Sequence, residues 1–389
     1  MKGLSCRRPA VLCATLLLAT LLLATLLSAT AGADCITPGE WRDTSGQRLT
    51  ADHLFENFAQ ADVVLLGERH DRMEHHRWQV HTLAALHAHR PDMVIGLEML
   101  PREAQPALDS WVAGEVEESA FLEQSDWERV WGFDARLYLP ILHFARMHRI
   151  PLRAINLERP LIGRIMSEGW EAVPPEERYH ISPPAPASEG YRDYLGDVFE
   201  DHPTGADHDS GLDRFVSGQL IWDRAMAAGL AEATAPGRLV VGLMGQGHLE
   251  YGYGVPHQLR DLGITDARVL LPWEIDPACK GPEPGVADAV FALAGGDRYE
   301  LPRPLLLGVR IADDPAGVRV QSVMQDSVAA STGLKADDVI TSASGVETQV
   351  PGDLQAVVRR QQPGNVMPLT ILRDDDEIEL LARFPAIED

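Results

Sequence analysis

Histidines and carboxylates follow several of the apolar stretches of this 389-residue chain. Glu68 and His70 come directly after the apolar stretch at 62–67, and Glu98 ends the next one. His248 follows a later stretch and repeats the Gly-x-x-His spacing that leads to His70. Imidazoles and carboxylates together can ligate a transition metal, transfer protons as acid and base, or form a hydrogen-bonded cluster that only closes the structure. The residue types alone leave these three interpretations open.

The elements that must position these side chains are short strands alternating with helices. Strands are predicted at 62–67, 93–97, 152–156, 238–244 and 267–271, and helices at 72–89, 102–113, 117–124, 136–148, 188–199 and 212–233. Strands that are apolar throughout and alternate with helices are typical of a mainly parallel sheet flanked by helices, which is an α/β fold. Loops at the carboxyl ends of parallel strands converge, so Glu68, Glu98 and His248 are expected at one edge of the sheet.

Four motifs in the first two thirds of the chain resemble the ChaN-type haem-binding family of the Tiki/TraB/erythromycin-esterase superfamily. They are Leu66-Gly67-Glu68-Arg69-His70-Asp71, Gly96-Leu97-Glu98-Met99, Trp127 to Tyr138 with Pro140, and Gly245-x-Gly247-His248-x-x-Tyr251-Gly252-x-Gly254-Val255-Pro256. The motifs occur in order, and most of them fall at predicted strand ends. The resemblance implies an α/β haem-binding domain over 34–280.

The same resemblance implies a role in iron acquisition, with haem bound where two subunits meet and therefore a haem-dependent homodimer. A tyrosine oxygen would ligate the iron, since a hard anionic oxygen favours Fe(III). Tyr251 is the first candidate because it lies in the same predicted loop as His248, followed by Tyr253 and Tyr138. Polar side chains would hold the propionates; the candidates are His70, His248, Arg69 and Arg136.

The wider superfamily implies an alternative, a metal-dependent peptidase or hydrolase. In this hypothesis His70, Glu98 and His248 hold a divalent transition metal, and Glu68 ligates the metal or activates a water molecule. Whether the chain is an enzyme at all stays open. A third hypothesis is a scaffold in which the C-terminal region does the binding.

The C-terminal region follows a Gly- and Pro-rich segment, 281–301, which is predicted to be a linker. Its order of a Ser-x-Ala-Ala helix at 327–330, Gly333-Leu334 and Asp338-x-Ile340 resembles a PDZ domain of the bacterial periplasmic-protease type, with Asp337 in place of a glycine. The resemblance implies a small β-rich PDZ domain over 302–385 that binds the C-terminus of a peptide or protein partner by strand addition. The carboxylate loop would be Leu306, Leu307, Gly308 and Val309. The alternative is a PDZ fold that binds no free ligand.

The N-terminus begins with Lys2, Arg7 and Arg8, continues with an apolar run over 9–27 and ends in small residues. This pattern predicts a signal peptide over 1–33 and a periplasmic or secreted protein. The alternative is an uncleaved membrane anchor. In an oxidising compartment the two remaining cysteines, Cys35 and Cys279, predict a disulfide. A lipid-modified Cys35 is the alternative, although the residues before it fit a lipobox poorly.

The charge of the chain is strongly negative, with 34 basic against 58 acidic residues and a net charge of −24. Loss of the three cations of the predicted signal peptide leaves 31 basic against 58 acidic residues, a net charge of −27. Sequence-independent binding to phosphate backbones needs a basic surface, so no nucleic-acid partner is expected. The same charge repels anionic haem at long range, so nearby arginines would have to attract it.

Overall fold

The computed structural model describes residues 35–200, 208–296, 298–299, 305–374 and 376–386. The chain divides into two compact units, Met1–Tyr299 and Glu300–Asp389. The predicted signal peptide lies outside the described residues.

The first unit alternates strands and helices along the chain. Its strands and helices are, in order, β1 (Trp41–Arg42), β2 (Arg48–Leu49), α1 (Ala51–Phe58), β3 (Val63–Glu68), α2 (Met73–His89), β4 (Met93–Pro101), α3 (Gln105–Ala113), α4 (Glu118–Gln124), α5 (Trp127–Val130), α6 (Ala135–His148), β5 (Leu152–Asn156), α7 (Arg159–Glu168), α8 (Glu189–Glu200), α9 (His208–Ala233), β6 (Leu239–Gly245), α10 (Val255–Asp261), β7 (Ala267–Glu274) and β8 (Ala289–Leu293). Short 3-10 turns lie at 102–104, 170–172, 175–178, 246–248 and 250–252.

The eight strands form one sheet in the order β2-β1-β8-β7-β3-β6-β4-β5. The six strands from β8 to β5 are parallel, and β1 pairs antiparallel with both β2 and β8. The predicted α/β class is confirmed, and the five predicted strands correspond to β3 to β7. The expected linker over 281–301 is wrong for residues 289–293, because these apolar residues form β8 and Val290 is fully buried in the sheet.

Alternate residues of the central strands pack on opposite faces of the sheet. Val64 and Leu66 belong to the core that includes Trp111 and Tyr138, whereas Val63 and Leu65 belong to the core formed with α9. Burial on both faces explains why these strands are apolar throughout.

Glycines let α9 approach the sheet closely. A Cβ on Gly229 of α9 would lie 2.8 Å from Cγ2 of Ile155 in β5. A Cβ on Gly96 of β4 would lie 2.6 Å from Cδ2 of Leu230. This close approach fixes the C-terminal part of α9 against β4 and β5.

The outer edge of the sheet at β5 is covered by a side chain. The Gln105 side chain donates from Nε2 to the carbonyl oxygen of Leu152 at 2.9 Å and accepts from the N–H of Ala154 at 2.9 Å. It therefore makes the hydrogen bonds that a neighbouring strand would make there.

The predicted disulfide is confirmed: Cys35 and Cys279 are bonded, with 5.0 Å between their Cα atoms. It joins the start of the described chain to the segment after β7. Among the residues described here, no helix is both long enough and apolar enough to cross a membrane.

The second unit is a small antiparallel sheet with two helices. Its elements are β9 (Val309–Asp314), β10 (Gly317–Val323), α11 (Val328–Thr332), β11 (Val339–Ala343), β12 (Val346–Glu347), α12 (Pro351–Arg359), β13 (Val366–Arg373) and β14 (Asp376–Arg383). The strand order is β14-β13-β11-β10-β9, with β12 paired to β11, so β9 is an edge strand. The predicted β-rich second domain is confirmed.

Candidate functional site

The first feature of the candidate site is a buried carboxylate–imidazole pair at the end of β3. Oε1 of Glu68 lies 2.6 Å from Nδ1 of His70 and also accepts a hydrogen bond from the Tyr138 hydroxyl at 3.3 Å. Burial alone would lower the pKa of His70, but the hydrogen bond and charge of Glu68 outweigh it and raise this pKa to about 9. Nδ1 is thus held by Glu68; Nε2 carries a proton at neutral pH and could ligate a metal only after losing it.

A second pair of the same kind lies beside it. Oδ1 of Asp223, in the middle of α9, is 2.6 Å from Nδ1 of His248, and its Oδ2 accepts a hydrogen bond from the Tyr191 hydroxyl at 2.6 Å. Asp223 is fully buried. Burial lowers the pKa of His248, but the bond to Asp223 raises it above its ordinary value overall.

Glu98 of β4 lies between the two imidazoles. Its Oε1 is 3.5 Å from Nε2 of His248, and its Oε2 accepts the N–H of Gly245 at 2.7 Å. Single ligand atoms from Glu68, His70 and Glu98 all lie within 4.8 Å of one another. A Cβ on Gly245 would be 3.0 Å from Cε1 of His70, so glycine keeps this space open. Two imidazoles and one carboxylate, with further carboxylates behind the imidazoles, form a donor set that transition metals accept.

The cluster opens into a cavity of about 640 Å³. His70, Glu98 and His248 line its polar side. Its other walls combine apolar and aromatic side chains with a charged rim, namely Met99, Pro101, Val130, Trp131, Phe133, Leu157, Pro160, Leu161 and Trp222, together with Glu103, Arg129, Asn156, Glu158, Arg159, Arg164, Glu177 and Tyr179. Such a mixture suits a largely apolar ligand that carries a few charged groups.

The segment 131–133 is called here the aromatic wall, because the rings of Trp131 and Phe133 pack against His70. The ring centroid of His70 is 4.7 Å from that of Trp131 and 5.0 Å from that of Phe133. The His70 side chain is 29% exposed and Phe133 is 37% exposed, so the wall covers His70 only in part and leaves the cavity open.

The structure brings together three of the sequence-predicted residues, His70, Glu98 and His248, at the cavity. Glu68 lies behind His70 with its side chain fully buried, and Tyr138 lies behind Glu68 and is 2% exposed. These two residues support the cluster from within the protein rather than lining the cavity.

The other predicted site residues of the first unit lie elsewhere. Tyr251 and Tyr253 pack in a tyrosine cluster with Tyr194, and the Tyr251 hydroxyl donates to Glu283 at 3.3 Å. Nη1 of Arg69 is 3.6 Å from Oε2 of Glu274. The Arg136 guanidinium donates to Asp134 at the start of α6. The described residues that line the cavity do not include these four.

Sequence reasoning missed Asp223 and Tyr179. Asp223 had a signal, because a carboxylate inside the apolar stretch 220–230 needs a buried partner. Tyr179 had none: it lies in a Pro-rich insertion, lines the cavity and donates from its hydroxyl to Oε1 of Glu158 at 2.6 Å.

The carboxylate loop expected in the second unit precedes the edge strand β9. The carbonyl oxygens of Leu307 and Gly308 accept the N–H groups of Ala329 and Met324 at 2.7 and 2.9 Å. Gly308 has φ +83°, and a Cβ there would be 2.3 Å from Cβ of Ser327. Glycine is therefore required at this position.

Comparison with known proteins decides the family. The model of the family described as "Haem-binding uptake, Tiki superfamily, ChaN" matches residues 54–259, more than half of the chain. The chain belongs to this family. A PDZ-domain model matches residues 306–382, which confirms the predicted domain type of the second unit.

Two solved structures and one curated protein are similar to parts of the chain. The structure titled "Cofacial heme binding to ChaN of Campylobacter jejuni" is 20% identical with a TM-score of 0.51, over 64% of this chain and 95% of that one, and this likeness shows the fold. A probable periplasmic serine endoprotease, DegP-like, of Pseudomonas savastanoi pv. phaseolicola is 34% identical over 77 residues, 20% of this chain and 16% of that protein. The chain thus spans only a small part of that relative. The HtrA3 PDZ domain bound to a phage-derived ligand is 22% identical with a TM-score of 0.19, over 20% of this chain and 82% of that one.

Proposed function

We propose that this protein binds haem for iron acquisition in the periplasm, and that the cavity beside His70 and His248 is the haem site. The observation that carries the proposal is the cavity itself, which combines aromatic walls, two imidazoles and three arginines at the carboxyl edge of the sheet. The family, described as haem-binding uptake, supports it. The predicted signal peptide over 1–33 and the disulfide support a periplasmic location, since disulfides persist in oxidising compartments.

The lining fits the chemical parts of haem. The porphyrin is planar and apolar, which suits Trp131, Phe133 and Trp222. Its two propionates are anionic, which suits the rim arginines Arg159 and Arg164. The lining also contains four glutamates, and Arg164 already pairs with Glu168 and Glu177, so a propionate would compete with these carboxylates for it.

The cavity contains its own candidate for the iron ligand, Tyr179. Its hydroxyl donates to Glu158, so that carboxylate can accept the phenolic proton when the oxygen binds Fe(III). Burial, the hydrogen bond to Glu158 and the charge of Glu158 raise the pKa of Tyr179, so the phenol is protonated in the protein without haem. Tyr251 and Tyr253 remain candidates for the iron ligand if haem binds outside the cavity, between two subunits. Tyr138 could be the ligand only if the side chains that bury it moved aside.

A haemin titration tests the proposal. Wild-type protein should give a stoichiometric high-spin ferric spectrum. Loss of this spectrum in Tyr179→Phe supports binding in the cavity, whereas loss in Tyr251→Phe, together with haem-dependent dimerisation in analytical ultracentrifugation, supports binding between subunits. Absence of a stoichiometric spectrum in the wild type refutes haem binding.

One observation favours a second function, a metal-dependent hydrolase. Both imidazoles have their Nδ1 atoms on buried carboxylates, and Nε2 of His248 and a ligand atom of His70 lie close to Glu98. Outer carboxylates of this kind orient histidine ligands of catalytic metals. We therefore propose His70, Glu98 and His248 as the ligands in this alternative. Glu68 would hold His70, and water activation by Glu68 is disfavoured because its side chain is fully buried.

Isothermal titration with Zn²⁺ and Co²⁺ tests the alternative. Tight binding that is lost in Glu98→Gln and His248→Ala, together with metal-dependent cleavage of fluorogenic peptides, would support a hydrolase. Metal binding without cleavage, or no metal binding, would contradict it.

We also propose that the second unit binds free peptide C-termini at the edge of β9. The peptide's terminal carboxylate would bind to the loop formed by Leu306, Leu307, Gly308 and Val309, and the peptide would pair with β9 as an added strand. Fluorescence polarisation with peptides that end in an apolar residue should show binding that is lost when the terminal carboxylate is amidated. Equal binding of free and amidated peptides would contradict carboxylate capture.

A further inference from the structure

The segment that follows β8 contacts two places beside the haem cavity. The Tyr299 N–H donates to the carbonyl oxygen of Asp71 at 2.7 Å, and the Tyr299 hydroxyl donates to Oδ2 of Asp134 at 3.0 Å. Nε of Arg298 lies 3.3 Å from Oδ2 of Asp71. Tyr299 is the last residue of the first unit.

Both of these aspartates adjoin residues of the cavity. Asp71 follows His70 in the chain, and Asp134 follows Phe133, the end of the aromatic wall. Because backbone neighbours move together, fixing Asp71 and Asp134 restrains His70 and the wall that packs on it.

Asp134 also sets the start of α6. Its Oδ1 accepts the N–H of Arg136 at 2.9 Å, which is a helix N-cap. The same helix carries Tyr138, which donates to Glu68. Tyr299 is therefore connected to the Glu68–His70 pair through the aromatic wall and through α6.

The aromatic wall lies between α5 and α6, outside regular secondary structure. It follows the four-residue helix α5, and its central Gly132 has φ +84° with no atom within 4 Å of a Cβ built there. The bond from Trp127 Nε1 to the carbonyl oxygen of Phe133, at 2.9 Å, holds it from the α5 side. Tyr299 binds the next residue, Asp134, at Oδ2, the atom that also accepts from Nε of Arg136 at 2.9 Å.

We infer that Tyr299 is a positioning residue for the cavity: by binding Asp71 and Asp134 it holds the aromatic wall against His70. The inference rests on the proposed haem site. The hydroxyl is the group to remove, because Tyr299→Phe keeps the ring and the backbone bond to Asp71 and loses only the bond to Asp134.

The experiment compares full-length wild type, Tyr299→Phe and Tyr194→Phe. Tyr194 is a matched control, since its hydroxyl also donates to a carboxylate, Glu250 at 2.9 Å, and it does not line the cavity. Haemin dissociation into apomyoglobin should be faster in Tyr299→Phe than in the control, by at most about tenfold, since one hydrogen bond to a charged group is lost and it does not contact haemin directly. The urea midpoints of the two variants should agree, which separates positioning from global destabilisation.

Hydrogen–deuterium exchange without haemin provides a second readout. Peptides that cover residues 131–138 should exchange faster in Tyr299→Phe only. Unchanged exchange and an unchanged dissociation rate would overturn the inference. If the wild type binds no haemin, the proposed function fails, while exchange in apoprotein still tests whether Tyr299 holds the wall.

Discussion

Asp223 and His248 come from different elements of the fold, yet Oδ1 of the first lies 2.6 Å from Nδ1 of the second. Glu68, the last residue of β3, and His70 make the same contact at the same distance two residues apart. In both pairs a buried carboxylate holds Nδ1, so Nε2 is the nitrogen that would face a ligand, and Nε2 of His248 lies 3.5 Å from Oε1 of Glu98. One pair is local and the other depends on the correct packing of α9, so the site forms only when the sheet and this helix are assembled.

The Asp223→Asn variant should weaken ligand binding at His248. Asparagine can present its amide to Nδ1 but lacks the charge that stabilises the Nδ1–H tautomer. If His248 ligates a metal, Zn²⁺ affinity should fall by about 10–100-fold, as for other residues that support metal ligands. Isothermal titration measures this affinity. Asp261→Asn is the control, because Asp261 pairs with Arg224, the neighbour of Asp223 on α9, and its own side chain is 45% exposed. Equal affinities in the two variants would contradict an orienting role for Asp223.

The pH dependence of stability should contain a contribution from His75. This side chain is 1% exposed, and burial lowers its pKa to about 4. Between pH 6.5 and 4 the unfolded chain binds a proton at this position that the folded chain does not, so stability falls as the pH falls and levels off below 4. At pH 4.5 this effect lowers the free energy of unfolding by about 2–3 kcal/mol relative to neutral pH.

His75→Asn isolates this contribution, since its carbonyl can accept the Arg69 N–H as Nδ1 of His75 does at 3.0 Å. Urea unfolding at pH 7 and pH 4.5 should show a smaller loss of stability on acidification in the variant than in the wild type. The same loss in both proteins would mean that His75 does not resist protonation.

Gly229→Ala should destabilise the first unit. The added methyl group would meet Cγ2 and Cβ of Ile155 at 2.8 and 2.9 Å. Overpacking of this kind costs about 1–3 kcal/mol, which outweighs the better helix propensity of alanine. Gly218→Ala in the same helix is the control: its neighbour is the flexible end of Met166 at 3.4 Å, and it should be neutral or stabilising. Thermal unfolding compares the two, and equal midpoints would argue against close packing of α9 on β5.

Loss of the disulfide should lower stability without changing the site. The bridge closes a loop with a sequence separation of 244, which corresponds to about 5 kcal/mol on the chain-entropy model as an upper value. The double variant Cys35→Ser, Cys279→Ser should unfold at a lower urea concentration than the oxidised wild type and at the same concentration as the reduced wild type. Its ligand affinity should be unchanged. A loss of affinity would indicate that the bridge also shapes the cavity.

The sequence was sufficient for the fold where one signal dominated. The strands β3 to β7 are apolar on both faces, and the groups at their carboxyl ends, such as His70 and Glu98, could be assigned to one edge from topology alone. The strand β8 was missed because glycines and prolines on both sides of 289–293 are typical of a linker. Asp223 and Tyr179 reach the site through tertiary packing of segments that are distant in sequence. No local sequence pattern shows that these segments pack next to His248 and the cavity.

The Gln105 side chain on β5 also decides where another polypeptide can join the molecule. Because this side chain already occupies hydrogen-bonding groups of β5, the large sheet resists extension by another chain at this edge. The first strand of the PDZ unit, β9, is an edge strand of its sheet and pairs with β10 on one side. A single amide thus opposes extension of the large sheet at β5, while β9 is an edge of the small sheet at which a peptide could add a strand.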